Sequence, residues 1–382
     1  MMDAVVKLCA KLMALVFTAF LRRDRRIVLC TGWLGLRFAD NSRYIYLYLC
    51  EHKEALGLKK VIWITKNDDI YRELKNNGFL VCKAKSMKCI YYHLRAKYFL
   101  YDQFLSDFHS SLTCKAVCVN LWHGIPIKKF GLLNGADTYT WNLGDNYLLT
   151  CSEYGDQTLK ECFRVRQDHL IHGMYPRNHY LLNEIPFYLE EERMYLQKVG
   201  IVKKSGKKIL FYLPTFRNTT NFLFLGEKDP IVINDFFDFL EKQGYFLLTK
   251  IHFRGVELHQ NGIDIQYENF LNLPADLDIY PFLKKADILI TDYSSVLFDF
   301  LYLNRSIIIY PYDLQEYKEK DQGLFPGFDS LPADRVMNLK ELKECLVRTE
   351  LDRIEEELRK RWLFKCFENK TMNETVVTIL SK

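Results

Sequence analysis

Short apolar runs alternate along the chain with longer stretches in which apolar and polar residues mix at helical spacing. The runs "RIVLCTG", "VIWITKN", "FLVCKA", "KYFLYDQ", "AVCVNLW", "YLLTCSE" and "HLIHGMYP" follow one another through the first half. Each is rich in branched and aromatic residues and bounded by polar ones, which is the pattern of strands buried on both faces. A second series begins at "KKILFYLPTFR" and continues through "YFLLTKIHF", "IDIQYE", "DILITDYSS" and "SIIIYPYD". Strands alternating with helices predict an α/β fold built on parallel sheets.

Between the two series lies "NEIPFYLEEERMYLQKVGIVKKSGKK", with a helix-like centre and a loop-like end. It places a domain boundary near residue 204, giving domains 27–204 and 205–382. The tail "LKELKECLVRTELDRIEEELRKRW" carries leucines at helical spacing and opposed charges on its other face, which predicts a helix.

The beginning of the chain reads differently. "VVKLCAKLMALVFTAFL" runs into "RRDRR", and its uninterrupted apolar core, Leu12 to Leu21, is short for a span of about 20 residues. No small-residue cleavage signal follows. Residues 1–26 are therefore expected to form an interfacial amphipathic helix whose arginines meet anionic headgroups, holding the body peripherally at the cytoplasmic face of the membrane. The alternative is a helix packed on the protein's own core.

Composition narrows the function. With 382 residues, 49% of them hydrophobic, the chain can bury two substantial cores. Fifty-three basic against 48 acidic side chains leave a net charge of +5, too modest an excess for a nucleic-acid-binding stripe but suited to an anionic substrate or lipid surface. The 11 cysteines form no CxxC pair, and Cys114 and Cys118 lie beside no clustered histidine. Zinc is not expected, and buried thiols in a reducing compartment are.

In open α/β sheets, ligands sit beyond the carboxyl ends of the strands, so a polar residue directly after an apolar run carries weight. Three clusters meet that criterion. In "LWHGIPIKKFG", His123 begins the turn after a strand, Gly124 allows close backbone approach, and Lys128 and Lys129 could neutralise a phosphate. An imidazole there can take a proton from an attacking hydroxyl or, protonated, bind phosphate. In "LLTKIHFRG", Lys250, His252 and Arg254 alternate, so a continuing strand would present three donors on one face as an anion site, or as an edge charge pattern that blocks aggregation. Thr215 and Arg217 of "YLPTFR" end a strand in the same way, as an anion contact or a polar cap.

The third cluster, "DILITDYSSVLFDFLYLNR", sets Asp292 after a strand and Ser294 and Ser295 at the start of a helix. The serines read as N-caps, and a helix N-terminus with two hydroxyls suits a diphosphate. Asp292 calls for a ribose or a partner cation. "DLD" at 276–278 is similar to the acidic metal pair of sugar transferases, but its place before a helix favours capping. The chain contains neither a GxGxxG turn nor a P-loop.

Taken together, "FADNSRYIYLYL", "VIWITKN", "LWHGIPIKKFG", "GMYPRNHYLL", "FYLPTFR", "LLTKIHF" and "DILITDYSSVLFDFLYLNRSIIIYPYDLQEY" resemble the CDP-glycerol glycerophosphotransferase family, the teichoic-acid primases and polymerases. The resemblance covers nearly the whole chain after its first helix. It implies a GT-B-like architecture, two Rossmann-like domains facing a cleft, the C-terminal one holding a CDP-activated donor and the N-terminal one the acceptor. An acceptor hydroxyl would attack the donor's distal phosphorus and CMP would leave. His123 carries over as base or phosphate ligand and His252 as phosphate ligand, with Lys250, Ser294, Ser295 and Asp292 on the donor side.

The implied partners are CDP-glycerol, a lipid-linked glycan or polyol-phosphate polymer acceptor of teichoic-acid or capsule type, and an anionic membrane surface, with no nucleic acid. No cofactor is called for, stimulation by a divalent cation being left open. CDP-ribitol is the alternative donor; a GT-B sugar transferase and a non-catalytic binder of anionic polymers are the rival readings. Two departures from the family stand out: Phe253 and Arg254 follow the second histidine where relatives have proline, and Asp321 and Gln322 precede Gly323 where relatives have a basic residue.

Overall fold

The computed structural model describes residues 16, 22–104, 108, 112–136, 141–215, 217, 223–251, 267–320, 323–324, 328, 331, 333–348 and 370–382. The expected interfacial helix at 5–21 and the second half of the charged tail helix lie outside the described residues, apart from Val16. No helix among the described residues is long and apolar enough to cross a membrane.

The chain divides into two compact units, residues 1–125, 136–187 and 366–382 forming the first and 126–135 with 188–365 the second. In this division the chain passes between the units at Phe187/Tyr188, ahead of the helix that ends at residue 204. The helix Glu190–Lys204 goes with the second unit, where Lys203 reaches Asp287 at 2.9 Å. The last helix, Met372–Ser381, goes with the first.

Among the described residues, the first unit holds one parallel sheet of β1 (Asp24–Cys30), β2 (Lys60–Thr65), β3 (Val81–Lys83), β4 (Ala96–Tyr101), β5 (Val117–Asn120), β6 (Tyr147–Thr150) and β7 (Leu170–His172). Its order is β3-β2-β1-β4-β5-β6-β7. The second unit repeats the plan with β8 (Lys208–Leu213), β9 (Tyr245–Thr249), β10 (Phe270–Asn272), β11 (Ile288–Thr291), β12 (Ser306–Ile309) and β13 (Asp334–Arg335), in the order β10-β9-β8-β11-β12-β13. This is the doubly wound arrangement, in which the order reverses between the first and fourth strands and opens a crevice at their carboxyl ends. The apolar runs account for β1 to β9, β11 and β12. "IDIQYE" does not account for β10, which forms just beyond it from half-buried residues.

Strand interiors such as Val28, Leu29, Ile62, Phe99, Leu210, Leu247 and Ile290 are fully buried because helices cover both sheet faces. Those helices start where capping dictates: Asn67 accepts from the amides of Asp69 and Ile70, and Ser86 from that of Cys89. Cys30, Cys82, Cys89, Cys118, Cys151, Cys162 and Cys345 are buried free thiols, and burial pushes Cys118 up to about 12.

The basic flank at 22–26, expected to face lipid headgroups, is in part a structural element of the first unit. Arg23 donates to the carbonyls of His93, Ala96, Leu112 and Cys114 at 2.6–2.7 Å. Arg26 pairs with Asp24 at 3.0 Å, and Arg25 reaches the Tyr98 hydroxyl at 3.2 Å. A guanidinium presents its N–H groups in a fixed fork, and here Arg23 gathers carbonyls that the ends of the neighbouring elements leave unpaired.

Candidate active site

In the first unit the polar residues converge at the carboxyl ends of β1, β4 and β5. Asn120 ends β5 and turns the chain: its Oδ1 accepts from the Trp122 amide at 2.8 Å and its Nδ2 donates to the Gln103 carbonyl at 2.8 Å. Trp122 takes a left-handed φ of 50° and Gly124 a φ of 149°, a pair of conformations that lets the turn reverse within three residues.

His123, between them, is half-buried. Its ring lies 3.8 Å from the Trp122 ring centre and 6.2 Å from that of Trp33. Nδ1 approaches the Asp102 carbonyl at 3.3 Å. A carbonyl can only accept, so this contact places a proton on Nδ1; when the ring is neutral the lone pair is then on Nε2, the form a general base requires. Asp102, fully buried after β4, accepts from the Trp33 amide at 3.0 Å. A Cβ at Gly32 would stand 3.0 Å from Asp102 Oδ2, so glycine is what lets the β1 and β4 ends come together.

In the second unit the corresponding switch point lies between β8 and β11. Asp292 is fully buried; its Oδ1 accepts from the amides of Thr215 at 2.8 Å and Tyr293 at 2.6 Å. The partner cation it calls for is Arg217, whose Nη2 reaches Asp292 Oδ2 at 2.8 Å. Arg217 also donates from Nε to Asp313 at 2.7 Å, and from Nη1 to the Thr215 carbonyl at 2.6 Å. It lies 5.0 Å from the ring centres of both Tyr293 and Tyr317. Burial opposes the charge, but Asp292 and Asp313 outweigh it and raise the guanidinium pKa above its ordinary value. Arg217, read from sequence as an anion contact or a polar cap, is engaged here with two carboxylates and a carbonyl, and what it holds is the turn.

Thr215 Oγ1 is buried at this switch point with no hydrogen-bond partner among the described residues. Ser294 Oγ accepts from the Val296 amide at 3.4 Å. Ser295 makes no side-chain cap: its φ of −65° and ψ of −11° are already helical, whereas a capping side chain needs an extended backbone to reach forward. The helix that follows is short, Val296–Phe300, and runs on as a 3-10 turn. Lys250, just past β9, donates to the Leu277 carbonyl at 2.5 Å, while Asp278 Oδ1 accepts from the Tyr280 amide at 3.2 Å in the capping role foreseen for "DLD". His252 and Arg254 lie outside the described residues.

Lys128 and Lys129 group differently from the sequence expectation. Residues 126–135 belong to the second unit. There Lys128 forms an antiparallel bridge with Leu324, and the Lys129 amide donates to the Gly323 carbonyl at 2.8 Å. The Lys129 stem lies over Gly323, where a Cβ would meet its Cδ at 3.1 Å. The region in which the family's basic residue is missing is therefore lined by a lysine from another part of the chain.

Sequence reasoning passed over Asp102, Asp313, Asp40, Asn41 and Arg177. Asp102 obeys the rule that singled out His123, being the first polar residue after "KYFLY", and Asn41 and Arg177 sit in segments quoted for the family resemblance without a role. No group of three or more His, Cys, Asp or Glu among the described residues is arranged to hold a metal ion.

Comparison with known proteins places the chain among teichoic-acid enzymes in sequence and fold. The chain is 26% identical to a teichoic acid glycerol-phosphate transferase of Staphylococcus aureus over 345 residues, 85% of this chain and 84% of that one. It is 27% identical to a teichoic acid poly(glycerol phosphate) polymerase of Bacillus spizizenii, covering 90% and 89%. The solved structure of the wall teichoic acid polymerase TagF superposes with a TM-score of 0.69 at 19% identity, covering 98% of this chain and 96% of that one, and so shares the fold. Residues 13–380 match the profile of the CDP-Glycerol:Poly(glycerophosphate) glycerophosphotransferase family, and the chain belongs to that family.

Proposed function

We propose that the chain transfers glycerol phosphate from CDP-glycerol to a hydroxyl of a lipid-linked or surface-polymer glycan in teichoic-acid synthesis. The observation that carries this reading is the family match from residue 13 to 380, which runs through both sheets. The acceptor oxygen bonds to the glycerol-bearing phosphorus, the bond from that phosphorus to the bridging oxygen breaks, and CMP leaves with the electron pair. The acceptor's proton goes to His123 Nε2, the lone-pair nitrogen of the tautomer selected by the Asp102 carbonyl. Thr215, Ser294 and Ser295 are assigned to the donor, together with Lys250 and His252 at its phosphates. Lys128 and Lys129 supply further positive charge. Placement and charge stabilisation supply most of the rate, as in phosphoryl transfer generally. Residues 1–22 attach the protein to the cytoplasmic face of the membrane, a role supported by the sequence pattern.

The test is incubation with CDP-glycerol and CDP-ribitol separately, each with glycan and polyol-phosphate acceptors, scoring CMP release and product mass. CMP release and glycerol phosphate additions with CDP-glycerol are expected; release with CDP-ribitol alone, or with neither donor, overturns the reading. His123→Gln should lower turnover by at least about a hundredfold while the melting temperature stays put. Unchanged turnover would remove the histidine from the mechanism.

A further inference from the structure

Four successive peptide carbonyls in the turn that carries His123 are each held by a side chain from elsewhere in the first unit. Asn41 Nδ2 donates to the carbonyls of Leu121 at 3.2 Å and Trp122 at 2.7 Å. Arg177 Nη1 donates to that of His123 at 2.9 Å, and the Tyr175 hydroxyl to that of Gly124 at 3.4 Å. The donors are themselves fixed. Arg177 is 2% exposed, its Nη1 also pairs with Asp40 Oδ1 at 2.7 Å, and its amide donates to Asn41 Oδ1 at 3.2 Å. Asp40, like Trp122, has a left-handed φ, 60° against 50°.

We infer that Asp40, Asn41 and Arg177 are positioning residues for the reaction, a clamp that holds the backbone of residues 121–124 so that the His123 ring keeps one orientation. A non-glycine residue with positive φ is strained and persists only where its surroundings over-determine it. At Trp122 the surroundings are this clamp together with Asn120. Releasing the carbonyls lets Trp122 relax to an ordinary φ, which swings the next side chain away from the Asp102 carbonyl. The clamp also explains why "ADNSRY" and "YPRN" accompany the histidine turn, although 80 and 54 residues separate Asn41 from Leu121 and His123 from Arg177.

The effect on turnover rests on the transferase reading; the orientation of His123 does not, so the two are measured separately. Two variants are made in the full chain. Asn41→Ala removes two of the four hydrogen bonds. The pair Asp40→Asn with Arg177→Gln removes the ion pair as a unit, so that no buried charge is left alone. In each, kcat should fall by about a hundredfold, the cost of a small misplacement of a reacting group, with the donor KM changed less than about threefold. The ring nitrogen signals of His123, identified by their loss in His123→Gln, should change from one fixed Nδ1–H tautomer to a mixture. Arg177→Lys beside the native Asp40 should recover part of kcat, because one ammonium can donate to the same two acceptors, Asp40 and the His123 carbonyl, that Nη1 reaches. Folded variants with wild-type kcat, or with the His123 tautomer signature intact, overturn the clamp. If the wild-type protein releases no CMP, the transferase reading fails, and the tautomer measurement still decides the clamp.

Discussion

Arg217 offers the sharpest test of the second unit, because its removal has opposite consequences for a strut and for a ligand contact. The Arg217→Met variant keeps the aliphatic stem and deletes a guanidinium that is 1% exposed as a side chain. It leaves Asp292, fully buried, and Asp313, 8% exposed, with no cation between them. Breaking a buried pair in this way costs roughly 3–5 kcal/mol, because the remaining carboxylates lose their compensation. Loss of the cation from the faces of Tyr293 and Tyr317 adds to it. At 1.4 kcal/mol per tenfold, amide exchange limited by opening of the second unit should speed up by about a hundredfold to several thousandfold. Peptide-resolved hydrogen exchange reads this locally. Peptides covering β8 and β11 should show the full acceleration, while those covering β1 and β4 serve as an internal control and stay at wild-type rates. Should β8 and β11 exchange within about threefold of wild type while the donor KM climbs, Arg217 would be a ligand contact and the strut argument would be refuted.

Two further outcomes follow from single groups. Thr215→Val replaces an unpartnered buried hydroxyl with a methyl group, so the melting temperature should hold or rise, an unmet buried polar group costing about 1–3 kcal/mol, while the donor KM increases; a fall in stability with unchanged KM would place the hydroxyl outside the donor site. His172 Nε2 lies 2.8 Å from Asp156, and that hydrogen bond raises its pKa above 6.5 despite partial burial. The sign follows from the raised value: the pair's stabilisation is complete below the unfolded value near 6.5 and is lost as pH rises through the folded one. An NMR titration should therefore place the His172 midpoint above 6.5, and Asp156→Asn should lower it; an unchanged midpoint in that variant would show that the contact does not form in solution.

Much of the sheet was legible in the sequence because parallel strands buried on both faces write themselves as unbroken apolar runs. The weak strands were not: β10 is half-buried throughout, and β13 has two residues, both half-buried, too few to show a period. At the site, the demand was legible and its answer was not. A carboxylate after β11 announced a need for a ribose or a cation, but that Arg217 meets it depends on β8 lying beside β11, a topological fact 75 residues long. The same holds for Asn41 and Arg177, whose function is to meet carbonyls and which therefore carry no local signal. The serines misled in part because "DYSS" before an apolar run fits an N-cap whether or not the backbone at Ser295 is extended. Lys128 and Lys129 were taken with the histidine beside them, yet their backbone contacts are with Gly323 and Leu324.

The return of the helix Met372–Ser381 to the first unit has a consequence for how the protein is made. Thr375 Oγ1 accepts from the Met174 amide at 2.9 Å, the Tyr98 hydroxyl donates to the Leu380 carbonyl, and Gly173 has no room for a Cβ, which would stand 2.6 Å from Thr375. During synthesis at about 5–20 residues per second, Phe187 leaves the ribosome roughly 10–40 s before this helix does. The second unit, whose described residues end at Arg348, can close first. The N-terminal sheet, though translated earlier, lacks these contacts at Gly173, Met174 and Tyr98 until the helix emerges, so the order of completion runs against the order of translation.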